Sequence, residues 1–145
     1  MKFYFDTSVL VAASVQGHSH YAPAIQALDS MVSHGHRGSI SAHGLAEIYA
    51  VLTRTPFTPA IYPSEAWRIL EATVLPHVEV LALSAAEYKH LVQQCAAAGW
   101  IGGRVYDLIH IRCARKAQCD RLYTFNVKDF RALAPDDFRD RVCSP

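Results

Sequence analysis

Asp6 closes an apolar run, Phe3-Tyr4-Phe5, and is followed by two hydroxyls, Thr7 and Ser8, before the apolar pattern resumes with Val9-Leu10-Val11. A carboxylate at the edge of core costs on the order of several kcal/mol unless it is paired, caps a helix or binds a metal. Glu47 in SAHGLAEIYAVL and Asp107 in GGRVYDLIHI also stand among apolar neighbours, and Thr124-Phe125-Asn126 ends a late apolar segment with a hydroxyl and an amide. Carboxylates that converge in a cleft repel one another and raise the pKa of at least one. A divalent cation removes that repulsion, and hard oxygen ligands suit Mg²⁺ or Mn²⁺ better than zinc. Such an ion can activate water and stabilise the leaving oxygen of a phosphodiester. Ser8 and Thr124 are placed to orient ligands or water.

Each residue also has a plainer role open to it. Asp6 precedes a helical run and could be its N-cap. Asp107 lies three residues from Arg104, a spacing for an ion pair. Glu47 could pair with an arginine, and Asn126 and Asp129 could be turn and cap residues.

The elements that must position these groups alternate. Lys2 to Phe5 reads as a strand and Thr7 to Val15 as a helix, with a break at Gly17-His18-Ser19. Ile25, Leu28 and Val32 recur at helical spacing from Tyr21 until Gly35 stops them. Gly38 to Ser41 reads as a short strand and His43 to Arg54 as a helix that carries Glu47. Thr55 to Pro63, with Pro56, Pro59 and Pro63, reads as a loop. Ser64 is expected to cap a helix running to Leu75. Val78 to Leu83 reads as a strand, Ser84-Ala85-Ala86-Glu87 as a capping box opening a helix to Ala98, and Gly99 as its stop. A helix from Arg104 to about Ala117 carries Asp107. Arg121 to Phe125 reads as a strand, followed by a helical turn through Asp129 and Phe130 and an edge strand in the tail near Arg141 to Cys143. Strands alternating with helices imply an α/β three-layer fold around a mainly parallel sheet of four to five strands. Ligands of such sheets bind beyond the carboxyl ends of the strands, where Asp6 and Thr124 fall.

Composition narrows the function classes. The 145 residues are expected to form one domain, 1–145, and 51% apolar against 19% charged residues is a globular balance. A formal net charge of +1 excludes a strongly basic nucleic-acid coat and leaves any nucleic-acid contact to a few placed Arg and Lys residues. Cys95, Cys113, Cys119 and Cys143 form no C-x-x-C pair and read as buried or free thiols of a reducing cytoplasm. The eight histidines are read as surface residues. Lys2 followed by SVLVAAS imitates a secretion signal, but Asp6 interrupts it, and no apolar run is long enough for a membrane span.

The ordered set FDTSVLVAA, LAEIYAVLTR, GGRVYDLIHIRCA and RLYTFNVKDF resembles the PIN domain family, and within it the VapC-type toxins of bacterial toxin–antitoxin pairs. The resemblance runs from Phe3 to the tail. It implies a three-layer PIN-like fold and a Mg²⁺- or Mn²⁺-dependent endoribonuclease, neutralised by a small VapB-like antitoxin and assembled as a homodimer. Carried over, the acids are Asp6, Glu47 and Asp107, with Ser8 and Thr124 as the accompanying hydroxyls. Many members have an aspartate where this chain has Asn126, which can ligate through its carbonyl but brings no charge. One firmly held metal on Asp6 and Asp107 is therefore expected, with Glu47 ligating directly or through water, and a second metal arriving with substrate phosphate unless Asp129 reaches in. Arg104, Arg112 and Lys128 are candidates for holding the RNA backbone. Trp100 and Tyr106 are candidates for stacking on a base, with packing as the competing role. The stretch TPFTPAIYP is a candidate edge of the antitoxin groove.

Two rival classes remain open at this point. One is a non-catalytic PIN-like module that binds RNA or protein, which Asn126 keeps in play. The other is a phosphotransfer enzyme with Asp6 as nucleophile, which requires a second aspartate where this chain has Ser8.

Overall fold

β1 (Lys2–Phe5) alternates its side chains across the sheet: Phe3 and Phe5 enter one core and Tyr4 the other. A strand buried on both faces belongs at the centre of a parallel sheet covered by helices. The computed structural model, which describes residues 1–145, has that architecture. The remaining strands are β2 (Arg37–Ser41), β3 (Val78–Leu81), β4 (Arg121–Tyr123) and β5 (Val142–Cys143). They form one five-stranded sheet in the order β3-β2-β1-β4-β5, with every pairing parallel.

Each crossover is helical. α1 (Thr7–Ser14) and α2 (Tyr21–Ser33) join β1 to β2, and α3 (Ala42–Arg54) and α4 (Pro63–Ile69) join β2 to β3, α4 continuing into a π-helical turn over Leu70–Val74. α5 (Ala85–Ala98) and α6 (Arg104–Lys116) lead to β4, and α7 (Val127–Leu133) and α8 (Asp136–Arg139) lead to β5. The first four helices share a core with Phe3 and Phe5, including Leu10, Leu28, Ile48 and Leu70. The last four share the other core with Tyr4 and Leu122, including Leu91, Leu108, Phe130 and Phe138. This segregation follows from right-handed crossovers: the chain winds outward from β1 to β3, then resumes at β4 on the other side of β1. The strand order thus reverses between β1 and β4, and the crevice at their carboxyl ends is the place where such sheets accept ligands.

The local chemistry follows the sequence closely. Ser84 accepts from Glu87 N at 3.1 Å while Glu87 reaches back to Ser84 N at 2.6 Å. Gly99 takes φ +69° at the end of α5, a conformation that a side chain would strain. Cys95, Cys113 and Cys119 are buried, Cys143 is half-buried, and all four are free thiols. Lys2 to Ser14 folds into the first strand and first helix of the core. No helix is long and apolar enough to cross a membrane.

Several boundaries differ from expectation. The strands expected to reach Leu83 and Phe125 stop at Leu81 and Tyr123, because their neighbours offer no further partners: Ser41 pairs with Leu81 and Phe5 with Tyr123 at the ends of β2 and β1. Ser64 does not cap α4. The helix starts at Pro63, whose missing N–H suits a first turn, and Glu65 accepts from Tyr62 N at 2.9 Å instead. Helical geometry also ends in the π turn before Leu75.

Candidate metal and phosphodiester site

The main chain of Asp6 continues the sheet and starts a helix. Its N–H donates to Tyr123 O at 2.9 Å, and its carbonyl accepts from Val9 and Leu10 in the first turn of α1. Asp6 therefore occupies the N-cap position, but its side chain makes no capping bond. The carboxylate turns into the crevice. Oδ2 accepts from Ser8 Oγ at 2.7 Å and from Thr124 Oγ1 at 2.9 Å. Those hydroxyls in turn accept from the loop after β4, Ser8 from Phe125 N at 3.2 Å and Thr124 from Asn126 N at 3.0 Å. Two backbone N–H groups of that loop are thereby tied through one hydroxyl each to one nearly buried carboxylate, which fixes its rotamer.

Asp6, Glu47, Asp107 and Asn126 line one cavity of about 370 Å³, together with Ser8. A larger hollow, about 470 Å³ beside α2, is lined by Phe3, His36 and Tyr123 among others and by no acidic side chain. The sequence-predicted acids are thus brought together although they come from β1, α3 and α6. Asp129 stands outside the lining but close enough that its charge acts on Asp107. Thr124 is buried beneath.

The four polar groups have unequal electrostatics. Asp107, half-buried in the first turn of α6, has no hydrogen-bond donor. Burial, with the negative charges of Asp6, Asp129 and Glu47, pushes its carboxyl up to about 6, against the opposing influence of His110. Glu47 is held below the usual carboxylate range. Burial works against that result, but hydrogen bonding and charge from His110, with help from His43 and Thr7, outweigh it.

His110 is the functional neighbour that the sequence reading missed, and it corrects the assignment of all histidines to the surface. Its ring is 2% exposed. Nε2 lies 2.9 Å from Glu47 Oε1 and 3.5 Å from Asp6 Oδ1, and Nδ1 lies 2.9 Å from the buried Tyr4 hydroxyl. Its carboxylate neighbours hold the imidazole above its ordinary pKa although burial alone would lower it. His43 also leaves the surface class: Nε2 is buried, 3.1 Å from Glu47 Oε1 but misaligned for a hydrogen bond. Both were findable from spacing. His110 is three residues after Asp107 and His43 four before Glu47, so each shares a helix face with an acid.

The candidate cations divide. Arg104 and Lys128 are exposed, three residues before Asp107 and two after Asn126, and neither lines the cavity. Arg112 does not join them. Five residues along a helix turn it roughly 140° away from Asp107, and its guanidinium donates to Gln94 and lies 3.3 Å from His90 Nδ1. Trp100 packs against the second core, whereas Tyr106 is 49% exposed and stacks on His43 with centroids 4.9 Å apart.

The donor set fits a hard divalent cation. Asp107 is a half-buried carboxyl with no donor and three like charges around it, the repulsion that such an ion relieves, and the available ligand atoms are carboxylate and amide oxygens. As the side chains stand, no three His, Cys, Asp or Glu groups are gathered closely enough to hold a metal. His110 Nε2 stands between the Asp6 and Glu47 carboxylates, which favour its protonated form.

Known proteins are similar to this chain in sequence and in fold. The family model described as PIN domain matches residues 3–134. Ribonuclease VapC40 of Mycobacterium tuberculosis is 33% identical over 128 residues, covering 88% of this chain and 87% of that protein. Ribonuclease VapC27 of the same organism is 34% identical over 106 residues, covering 72% of this chain and 70% of that protein. Among solved structures, Mycobacterium tuberculosis VapC20, described as a sarcin-ricin loop cleaving toxin, superposes with a TM-score of 0.69 at 18% identity, over 90% of this chain and 94% of its own. VapBC2 from Rickettsia felis, bound to a promoter DNA fragment, gives 0.65 at 21% identity, over 91% and 92%. At these identities the two structures speak for the fold.

Proposed function

The chain belongs to the PIN domain family, and from that premise we propose that it is a VapC-type toxin: a Mg²⁺- or Mn²⁺-dependent endoribonuclease neutralised by a cognate VapB-like antitoxin. The observation that carries this reading is the convergence of Asp6, Glu47, Asp107 and Asn126 on one cavity at the β1/β4 crevice. Curated relatives of the same family are named ribonucleases, and the Rickettsia structure pairs a VapC-like chain with its VapB.

Asp6 and Asp107 would hold the ion, with Glu47 ligating it directly or through water. The ion supplies Lewis acidity toward a phosphate oxygen and lowers the pKa of a nearby water. Everything else falls to the chain. Ser8 and Thr124 lock the Asp6 carboxylate, while Tyr4 and His110 fix Glu47. Water attacks phosphorus in line as one ester P–O bond breaks. Glu47 and Asp107, the two carboxylates beside Asp6 in the cavity, are the acceptors available for the water's proton. Asn126 offers a neutral carbonyl, so one ion binds firmly and a second comes with the substrate phosphate. Arg104 and Lys128 are the cations left free for the RNA backbone. The protein works in the cytoplasm as a homodimer of single PIN domains.

The test is expression in a bacterial host without the antitoxin. Native protein should arrest growth and leave cut RNA, and Asp6→Asn should do neither. Arrest by Asp6→Asn with intact RNA would favour a non-catalytic binding module instead.

A further inference from the structure

The acids account for only part of the cavity at the β1/β4 crevice. His18, His20 and Phe125 line it too, from the α1–α2 connection and from the loop after β4. The rings of His20 and Phe125 are stacked, with centroids 4.4 Å apart and planes 22° from parallel, and His18 stands 5.9 Å from His20. His20 is exposed and, with Phe125, lines the crevice, so the pair is accessible from it. Phe125 packs against the first core, which anchors the pair to the fold as a shelf. The shelf is also wired to the acids: Phe125 N donates to Ser8 Oγ, and Ser8 Oγ donates to Asp6 Oδ2.

The cavity lining contains no arginine or lysine. Its walls offer a phosphate no fixed cation, while Arg104 and Lys128, outside the lining, are left for the flanking backbone. Within the cavity, binding strength beyond the ion therefore comes from the uncharged part of a nucleotide. An aromatic shelf supplies it, because every base has a π-face. Burial and the charge of His20 hold His18 below its ordinary pKa, which favours neutral imidazole, compatible with packing against a base.

We propose that His20 and Phe125 form a stacking seat for one unpaired nucleobase, adjacent to the phosphate that is cut. The seat rests on the endoribonuclease reading and gives it a substrate feature: the target is single-stranded at the cut, with a base free to leave its stack. Duplex RNA cannot fill the seat without losing a pair.

The probe is the RNA segment spanning the strongest cut that the native protein makes in total bacterial RNA, synthesised as a short unpaired oligonucleotide. Each base is replaced in turn by an abasic residue, and kcat/KM is measured in Mg²⁺. At one position next to the cut, native protein should lose roughly 5- to 150-fold, the range expected for one base–aromatic stack. His20→Ala should lose a similar factor on the intact oligonucleotide and nothing further at that abasic position, and His20→Phe should restore both. Phe125→Ala should behave like His20→Ala, with melting curves checking its fold. His20→Ala cutting the intact oligonucleotide as native does, or an abasic loss that persists unchanged in it, would overturn the seat while leaving the nuclease reading standing. Native protein that cuts no RNA at all would overturn both.

Discussion

His110 Nε2 lies 2.9 Å from Glu47 Oε1, joining residues 63 apart in the chain inside one crevice. Gly44 of α3 leaves room for the His110 ring beside it. A Cβ on Gly44 would sit 2.9 Å from His110 Cε1 and 3.0 Å from Ser41 Oγ. Ser41 cannot yield freely, since its hydroxyl caps α3 by accepting from Gly44 N.

The first prediction concerns this contact. His110→Ala should cut RNA about 10- to 100-fold more slowly and bind Mn²⁺ more weakly, because Glu47 loses its fixed orientation. It should also cost about 1–3 kcal/mol in urea unfolding by orphaning the buried Tyr4 hydroxyl. Gly44→Ala should reproduce the catalytic loss by crowding the His110 ring, although it removes no polar group. Full activity in both variants would show that Glu47 needs no such support.

The second concerns pH. The Asp107 carboxyl is raised to about 6 in the metal-free protein, so protons compete with metal below that pH. Mn²⁺ affinity measured by calorimetry should rise as pH increases toward about 6 and level off above it. The sign for stability is opposite. Between the ordinary carboxylate range and about 6 the unfolded chain releases its proton before the folded one, so ionisation of Asp107 progressively destabilises the metal-free fold. Asp107→Asn should therefore raise the melting temperature at pH 8, with the gain gone near pH 3. A gain of equal size at both pH values would mean that charge is not its cause.

The third concerns Asn126. It is exposed on the rim of the cavity and brings a carbonyl without charge. Asn126→Asp should tighten a second Mn²⁺ site by about tenfold or more while leaving the first within a few-fold. Native protein binding two equally tight ions without RNA would contradict the one-firm-metal arrangement.

The fourth concerns Thr124, whose hydroxyl links Asn126 N to Asp6 Oδ2. Thr124→Val keeps the shape, removes both bonds and leaves a buried carboxylate with one donor fewer. A loss of roughly 1–3 kcal/mol and a clear fall in activity are expected, checked by denaturation and by cleavage rate. Unchanged stability would mean that water replaces the hydroxyl.

The layered fold was legible because helical and strand periodicities alternate cleanly, and because a strand such as Phe3-Tyr4-Phe5 buries both faces. Strand ends at Leu81 and Tyr123 were not, since a neighbour's length sets where pairing stops. The acids were legible as charges among apolar residues. His110 was hidden for a different reason. A histidine between Ile109 and Ile111 has no polar signature of its own, and only its helix face, shared with Asp107, and the glycine opposite reveal its place. Arg112 was overread for the same geometric cause: proximity in sequence to Asp107 put it on another side of the helix.

The most direct measurement is cleavage of total bacterial RNA by purified native protein in Mg²⁺ or Mn²⁺, beside Asp107→Asn and a chelator control. Discrete cuts present only in the native, metal-containing reaction are the expected result. Equal cutting by Asp107→Asn, or no cutting by a native protein shown by calorimetry to bind the metal, would contradict a nuclease centred on these carboxylates.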